Sequence, residues 1–184
     1  MKARKLWSLA KPDPDVFHDL IAMRFEAAER RGRFKFRTAT ELQALPPPQS
    51  RIRGVFPTEG LAVVFGASGS AKSFLCTTAP AAIGAGKHFF GHRTRAAPVL
   101  YMALEGESGY RSRTLAWELH NNRPFPPDVM FSIEPFSIID PQDVADLAAL
   151  CPQGVVIFID TLNRAAPGSD ENSSKDMGVI IQGA

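Results

Sequence analysis

The sequence predicts an α/β fold in which a buried parallel sheet is flanked by helices, with a helical extension at the N-terminus. Strand-length apolar runs alternate with segments of helical periodicity. Continuous apolar runs are typical of strands that are buried on both faces. In addition, 45% of the 184 residues are hydrophobic and 22% are charged, the ordinary composition of a globular domain with one core.

Residues 1–48 are predicted to form a helical extension that ends in a proline-rich linker. Asp13-Pro14 has the form of an N-cap followed by proline at the first helical position, and apolar residues then recur at helical spacing, so a helix is expected over 14–31. The basic residues over 30–37 fit either a solvated helix end or a DNA-contacting patch. Three consecutive prolines at 46–48 then interrupt regular structure.

Residues 49–184 are predicted to form the α/β domain itself. Glycines end the first apolar run and the first helix, and Asp140-Pro141 is a typical helix start. The expected elements, in chain order, are a buried strand over 61–65, a helix over 72–83, a strand over 98–104, a helix over 108–121, an extended segment over 130–138, a helix over 141–150 and a buried strand over 155–159 that ends at Asp160.

Composition excludes several classes of protein. No window has the roughly 18 to 20 apolar residues of a membrane-spanning helix, and the N-terminal apolar stretch is too short for a secretory signal, so a soluble cytoplasmic protein is expected. Cys76 and Cys151 are isolated, which argues against a zinc site or a disulfide framework, and both are expected to be buried. The formal charge of +2 leaves nucleic-acid binding open.

A phosphate-binding loop is predicted at residues 66–73, between the first strand and the first helix. The segment fits the pattern G-x-x-x-x-G-K-[ST] except that Ala71 replaces the second glycine. Lys72 would bridge the β- and γ-phosphates of ATP, and the Ser73 hydroxyl would take a position on Mg²⁺. The expected nucleotide-binding residues are Gly66, Ala67, Ser68, Gly69, Ser70, Ala71, Lys72, Ser73 and Phe74.

Ala71 is the departure within this loop. Helical φ/ψ angles would suit alanine, so the loop is expected to form, but the added methyl group would crowd the phosphate and weaken nucleotide binding. The alternative interpretation is a small-residue turn capped by serine, in which Lys72 is an ordinary surface lysine.

Two carboxylates follow predicted strands, at the edge of a parallel sheet where ligands bind. Asp160 ends a run of five apolar residues and is expected to position Mg²⁺ together with Ser73. Glu105 follows the second strand and could polarise the water that attacks the γ-phosphate. Glu107 competes for that role, and the plainer alternatives are a turn cap for Asp160 and a polar loop for the two glutamates.

The chain resembles the RepA-like hexameric replicative helicases of plasmids and phages, a branch of the RecA-like P-loop ATPases. The resemblance extends from about Leu42 to the C-terminus, and the ordered set of motifs is more specific than any one of them. They are Arg51-Ile52-Arg53-Gly54, the loop 66–73, the segment from Tyr101 through Glu105, Ile159-Asp160-Thr161-Leu162-Asn163-Arg164, and the polar segment 168–174.

This resemblance implies a RecA-like fold that binds ATP and Mg²⁺, with Glu105 as catalytic base and Arg111 or Arg113 near it. It also implies a homo-hexamer that moves on single-stranded DNA during plasmid or phage replication. RecA-like sheets place a further strand between those of the phosphate loop and Asp160, and none follows here before Ala184. The sheet is therefore expected to be incomplete and the chain to be a truncated product. A P-loop small-molecule kinase and an inactive nucleotide-binding remnant are the alternatives.

Overall fold

The structure is a computed structural model that describes residues 35–67, 69–105, 107–170 and 172–184. The predicted helix over 14–31 lies outside these residues. By its internal contacts the chain divides into two units, Met1–Pro47 and Pro48–Ala184. Within the described part, no helix combines the length and apolar character needed to cross a bilayer.

The first unit contains a short helix, α1 (Ala39–Gln43). Its N-terminus is closed by a capping box, in which the Thr38 hydroxyl accepts from the Glu41 backbone N–H and the Glu41 carboxylate accepts from the Thr38 N–H at 2.7 Å. This reciprocal arrangement satisfies two backbone donors that the first helical turn would otherwise leave free.

The second unit is a mixed α/β structure. Its elements in chain order are β1 (Ser50–Ile52), β2 (Phe56–Pro57), α2 (Lys72–Ala85), β3 (Val99–Ala103), α3 (Glu107–Asn121), β4 (Val129–Ser132), α4 (Pro141–Leu150), β5 (Val156–Asp160), α5 (Leu162–Ala165) and α6 (Ser174–Gly183). Strands β1 and β2 form a small antiparallel pair that the sequence pattern did not predict.

The main sheet has three parallel strands in the order β4-β3-β5 and is flanked by helices. The parallel α/β prediction is thus confirmed, and α2, α3, α4, β3 and β5 begin and end within two residues of their predicted limits. The extended segment expected over 130–138 is a strand only as far as Ser132. Beyond it the Glu134 carboxylate accepts bonds from the Ser132 hydroxyl at 2.5 Å and the Ile133 N–H at 3.1 Å, and these local bonds replace the ladder.

The strand predicted over residues 61–65 is wrong. Residues 61–67 have no strand structure, and Phe65 is 89% exposed while Leu61 and Val63 are each more than half exposed. A strand requires a neighbouring edge that satisfies its backbone N–H and C=O groups. In the part of the chain that the structure describes, β4 and β5 are the sheet edges, and residues 61–65 pair with neither.

Three apolar clusters pack against the sheet. The first joins α2 to β3 and β4 through Ile83, Val99 and Val129. The second packs the opposite side of β3 against α5 and α6. The third lies near the carboxyl ends of the strands, where Tyr101 and Tyr110 pack with Cys76 and Phe158. Cys76 and Cys151 are only partly buried, which corrects the expectation that both lie in the core.

Candidate functional site

The loop of residues 66–73 is a tight turn built from small residues, of which Ser68 lies outside the described ones. The Ser70 N–H donates to the Ala67 carbonyl at 3.2 Å, and Gly69 has φ +76°. A Cβ at Gly66 would lie 3.1 Å from the Ser70 hydroxyl oxygen, closer than side chains ordinarily approach. A side chain at position 66 would therefore require the Ser70 hydroxyl to move by a few tenths of an ångström.

Ala71 takes the left-handed conformation, with φ 63° and ψ 19°. The expectation of helical φ/ψ angles at this residue is wrong, because Ala71 precedes the helix and reverses the chain into it. Glycine is the residue that tolerates left-handed backbone best, and a Cβ there costs roughly 1–2 kcal/mol. Two effects therefore favour glycine at position 71 of the motif: it adopts the left-handed backbone without strain, and it leaves space for the phosphate.

Helix α2 begins at Lys72 without a side-chain cap. The Lys72 ammonium turns back over the loop and donates to the carbonyl oxygens of Gly66 at 2.7 Å and Ala67 at 2.8 Å. The Lys72 ammonium and the positive end of the α2 dipole thus both lie beside the loop, and this arrangement attracts anions.

An open pocket of about 350 Å³ adjoins the loop. It is lined by Val64, Phe65, Ser70, Ala71, Lys72, Phe74, Leu75, Thr78 and Phe90. Phe90 is 73% exposed and has φ 45°, and the following Gly91 has φ 85°. Two positive φ angles between bridged residues are typical of a type I′ turn, whose first central position favours asparagine, aspartate or glycine. Phe90 is therefore unfavourable at this position for two reasons: its backbone is left-handed, and its apolar ring is exposed to water.

The two predicted strand-end carboxylates are close together. Strands β3 and β5 are in register at Ala103 and Asp160, and Glu105 follows two residues later. The Thr161 hydroxyl donates to Glu105 Oε2 at 3.2 Å, while the Glu105 side chain remains exposed. The side chain of Glu107, the competing glutamate, lies outside the described part of the chain.

Two tyrosines that the sequence reasoning missed contact Asp160. Tyr101 in β3 donates to Asp160 Oδ2 at 2.8 Å, and Tyr110 in α3 donates to the same oxygen. A tyrosine inside an otherwise apolar strand is the signal that could have found this contact, because a buried hydroxyl needs a polar partner.

Cys76 connects α2 electrostatically to this cluster. Burial raises the pKa of its thiol, the negative charge of Asp160 raises it further, and the positive charges of Lys72 and Arg113 oppose the change. The Arg113 guanidinium lies over the Tyr110 ring at 4.8 Å, whereas Arg111 is exposed. Lys72 at the beginning of α2 and Asp160 at the end of β5 therefore both influence the pKa of the Cys76 thiol.

The AAA domain family model matches residues 28–184 of this chain. The match covers the loop, both strand-end carboxylates and part of the first unit. No curated protein and no solved structure matches the chain.

Proposed function

The chain belongs to the AAA domain family, and from that premise we propose that it is an ATPase that binds the phosphates of ATP in the loop 66–73. The observation that carries this proposal is the position of Lys72, whose ammonium lies against the loop carbonyl groups at the uncapped start of α2. Because a triphosphate offers stronger acceptors than these carbonyl groups, the lysine would turn to it when ATP enters.

The donor set also fits Mg²⁺, which prefers hard oxygen ligands. Ser73 supplies a hydroxyl from the first turn of α2, and Asp160 supplies a carboxylate from the end of β5. The metal would neutralise phosphate charge as the γ-phosphate is transferred to water. Asp160 therefore has the role of a metal-positioning residue in this proposal.

Glu105 is the proposed general base. Its carboxylate is exposed at the strand end and accepts a hydrogen bond from Thr161, which orients it without burying it. An oriented carboxylate near the phosphate loop can accept a proton from an attacking water. Arg113 lies over the ring of Tyr110, whose hydroxyl group contacts Asp160, and it would add positive charge close to the reacting phosphate.

The pocket beside the loop would hold the nucleoside part of ATP. Phe74 and Phe90 are exposed aromatic side chains on its lining, and Lys72 lies within the same pocket. An aromatic wall next to a phosphate-binding cation matches the two ends of a nucleotide, because bases stack on aromatic rings.

We further propose that this ATPase is of the RepA-like helicase type and works as a homo-hexamer on single-stranded DNA in plasmid or phage replication. It is supported by the ordered motifs that underlie the resemblance, including the polar segment after Asp160. Single-stranded DNA should then stimulate hydrolysis.

The test measures ATP binding by calorimetry and phosphate release by the full chain, with and without single-stranded DNA. Lys72→Ala should lose both activities, and Lys87→Ala, an exposed lysine beyond the other end of α2, should keep them. Phosphate release in the absence of DNA or any acceptor supports the ATPase, and stimulation by DNA supports the helicase type. Transfer that requires a small-molecule acceptor would indicate a kinase, and binding without release an inactive remnant, and either result would overturn the proposal.

A further inference from the structure

We infer that Tyr101 and Tyr110 are positioning residues for Asp160, and that their two hydroxyl groups occupy Oδ2 and leave Oδ1 to the metal. This inference rests on the proposed function, because it assigns the tyrosines a role toward the Mg²⁺ that Asp160 and Ser73 would hold.

One oxygen of the Asp160 carboxylate accepts both tyrosine hydroxyl groups. Each tyrosine hydroxyl has one proton, and both protons point to Asp160 Oδ2. The two hydroxyl oxygens are also 3.2 Å apart, so either could donate to the other, but the charged carboxylate is the stronger acceptor for both protons. A carboxylate oxygen has two lone pairs for hydrogen bonding, so Oδ2 is saturated. Among the described residues, no donor bonds to Oδ1.

The rings hold these hydroxyl groups in place. Tyr101 is fully buried and its ring stacks parallel on Phe158, with centroids 5.8 Å apart. Tyr110 is 5% exposed, meets the Tyr101 ring edge to face at 5.2 Å, and is covered by the Arg113 guanidinium. Aromatic side chains packed in this way have little freedom, so the two hydroxyl groups restrict the orientation of the Asp160 carboxylate.

Residues that orient a metal ligand typically change metal affinity by 10- to 100-fold when they are removed. The experiment therefore measures how much Mg²⁺ tightens ADP binding to the full chain, by calorimetry with Mg²⁺ and with EDTA. The variants are Tyr110→Phe, Tyr101→Phe and the double variant, all of which keep the ring and remove only the hydroxyl. We expect unchanged ADP affinity in EDTA and a loss of about tenfold in the Mg²⁺-dependent gain for each single variant.

Thr114→Val is the matched control. Thr114 is one turn further along α3, and among the residues that the structure describes its hydroxyl bonds only to the backbone carbonyl groups of Tyr110 and Arg111. This variant removes a helix hydroxyl without touching Asp160, so it should retain the full Mg²⁺-dependent gain. Asp160→Asn should lose the gain completely.

The outcomes separate the inference from the function on which it rests. If the unaltered chain binds ADP with no Mg²⁺ dependence, the proposed metal site fails. If it shows that dependence and the folded tyrosine variants keep it in full, only the inference is overturned. Should Tyr101→Phe fail to fold because its ring lies in the core, Tyr110→Phe decides the question alone.

A spectroscopic measurement supplies an independent readout. Tyr101 and Tyr110 are the only two tyrosines of the sequence. Adding Mg²⁺ to the ADP-bound protein should therefore produce a tyrosine difference absorbance that each single variant reduces and the double variant abolishes. A full difference signal in the double variant would contradict the inference.

Discussion

The hydroxyl group of Thr161 donates a hydrogen bond to Glu105 Oε2, 3.2 Å away, and so connects the residues that follow two neighbouring parallel strands. The bond leaves the second carboxylate oxygen of Glu105 available to a water molecule. Because Glu105 lies at the same carboxyl end of the parallel strands as Asp160, we expect its carboxylate and the carboxylate proposed to position the metal to act on one phosphate group.

Glu105→Gln should therefore lower turnover by orders of magnitude and leave ATP binding intact. The amide keeps the size of the side chain and can still accept from Thr161, but it cannot take a proton. General-base catalysis typically contributes about 10² to 10⁴ in rate, and phosphate release should fall by that factor. Glu59→Gln changes an exposed glutamate outside the strand-end cluster and should release phosphate normally. Normal turnover in Glu105→Gln would remove Glu105 from the mechanism.

Ala71→Gly should tighten ATP binding. Glycine adopts the observed φ of 63° without the strain of a Cβ and removes the methyl group from the phosphate loop. Because the strain is already present without ATP, its relief of about 1 kcal/mol should raise the free energy of unfolding. The tighter ATP binding should come from removal of the methyl group that crowds the phosphate, and calorimetry measures it as a lower dissociation constant. Ala116→Gly makes the same change at an exposed position in α3, where it should lower stability by about 1 kcal/mol and leave ATP affinity unchanged. Equal dissociation constants for the unaltered chain and the Ala71→Gly variant would contradict the prediction.

Phe90→Asn should affect folding and binding in opposite directions. Asparagine suits the left-handed position of the turn, so thermal stability should rise. The variant also removes an aromatic surface from the pocket, and losing a stacked base contact typically costs about 1–3 kcal/mol. ATP affinity should fall about tenfold while the affinity for inorganic triphosphate, which has no base, stays the same. If ATP affinity is unchanged, the base does not contact Phe90.

Gly84→Ala should destabilise the protein although alanine is the better helix former. A Cβ at Gly84 would lie 2.7 Å from Val129 Cγ2, and overpacking of this kind costs about 1–3 kcal/mol. Gly178 in α6 has open space around it, so Gly178→Ala should instead stabilise by about 0.5–1 kcal/mol. Urea denaturation of both variants checks the pair, and a stabilised Gly84→Ala protein would show that α2 does not pack closely on β4.

Cys76 should react slowly with iodoacetamide. The thiolate is the reactive form, and a raised pKa lowers its fraction at any given pH, so the reaction rate should rise with pH to a midpoint above that of a free cysteine. In a Cys151→Ser protein Cys76 is the only thiol, and the pH profile of its alkylation can be measured directly. A midpoint at or below that of N-acetylcysteine would contradict the burial and the nearby Asp160 charge.

Much of the sheet could be predicted because its signals are local. The apolar runs of β3 and β5 and the cap at Asp140 depend on neighbouring residues, and the structure places these elements as expected. The run over 61–65 is as apolar as β3 and β5 but forms no strand. Strand formation also depends on a partner strand that is far away in sequence. Apolar composition indicates a tendency to be buried and does not specify the partner.

The candidate site also has a part that could be predicted from local sequence and a part that could not. Lys72, Ser73, Glu105 and Asp160 follow from motif spacing, and their roles stay predictions. The tyrosine contacts require the register of β3 against β5, which places Tyr101 beside Phe158 and brings its hydroxyl group to Asp160. The conformation of Ala71 could not be predicted from its neighbours, because the turn into α2 decides it.

The exposed apolar residues over 61–65 also affect how the protein behaves at high concentration. Their side chains form an exposed apolar surface that favours association with other copies of the chain. A formal net charge of +2 provides little electrostatic repulsion between these copies. Association through these side chains should therefore limit how far the isolated chain can be concentrated.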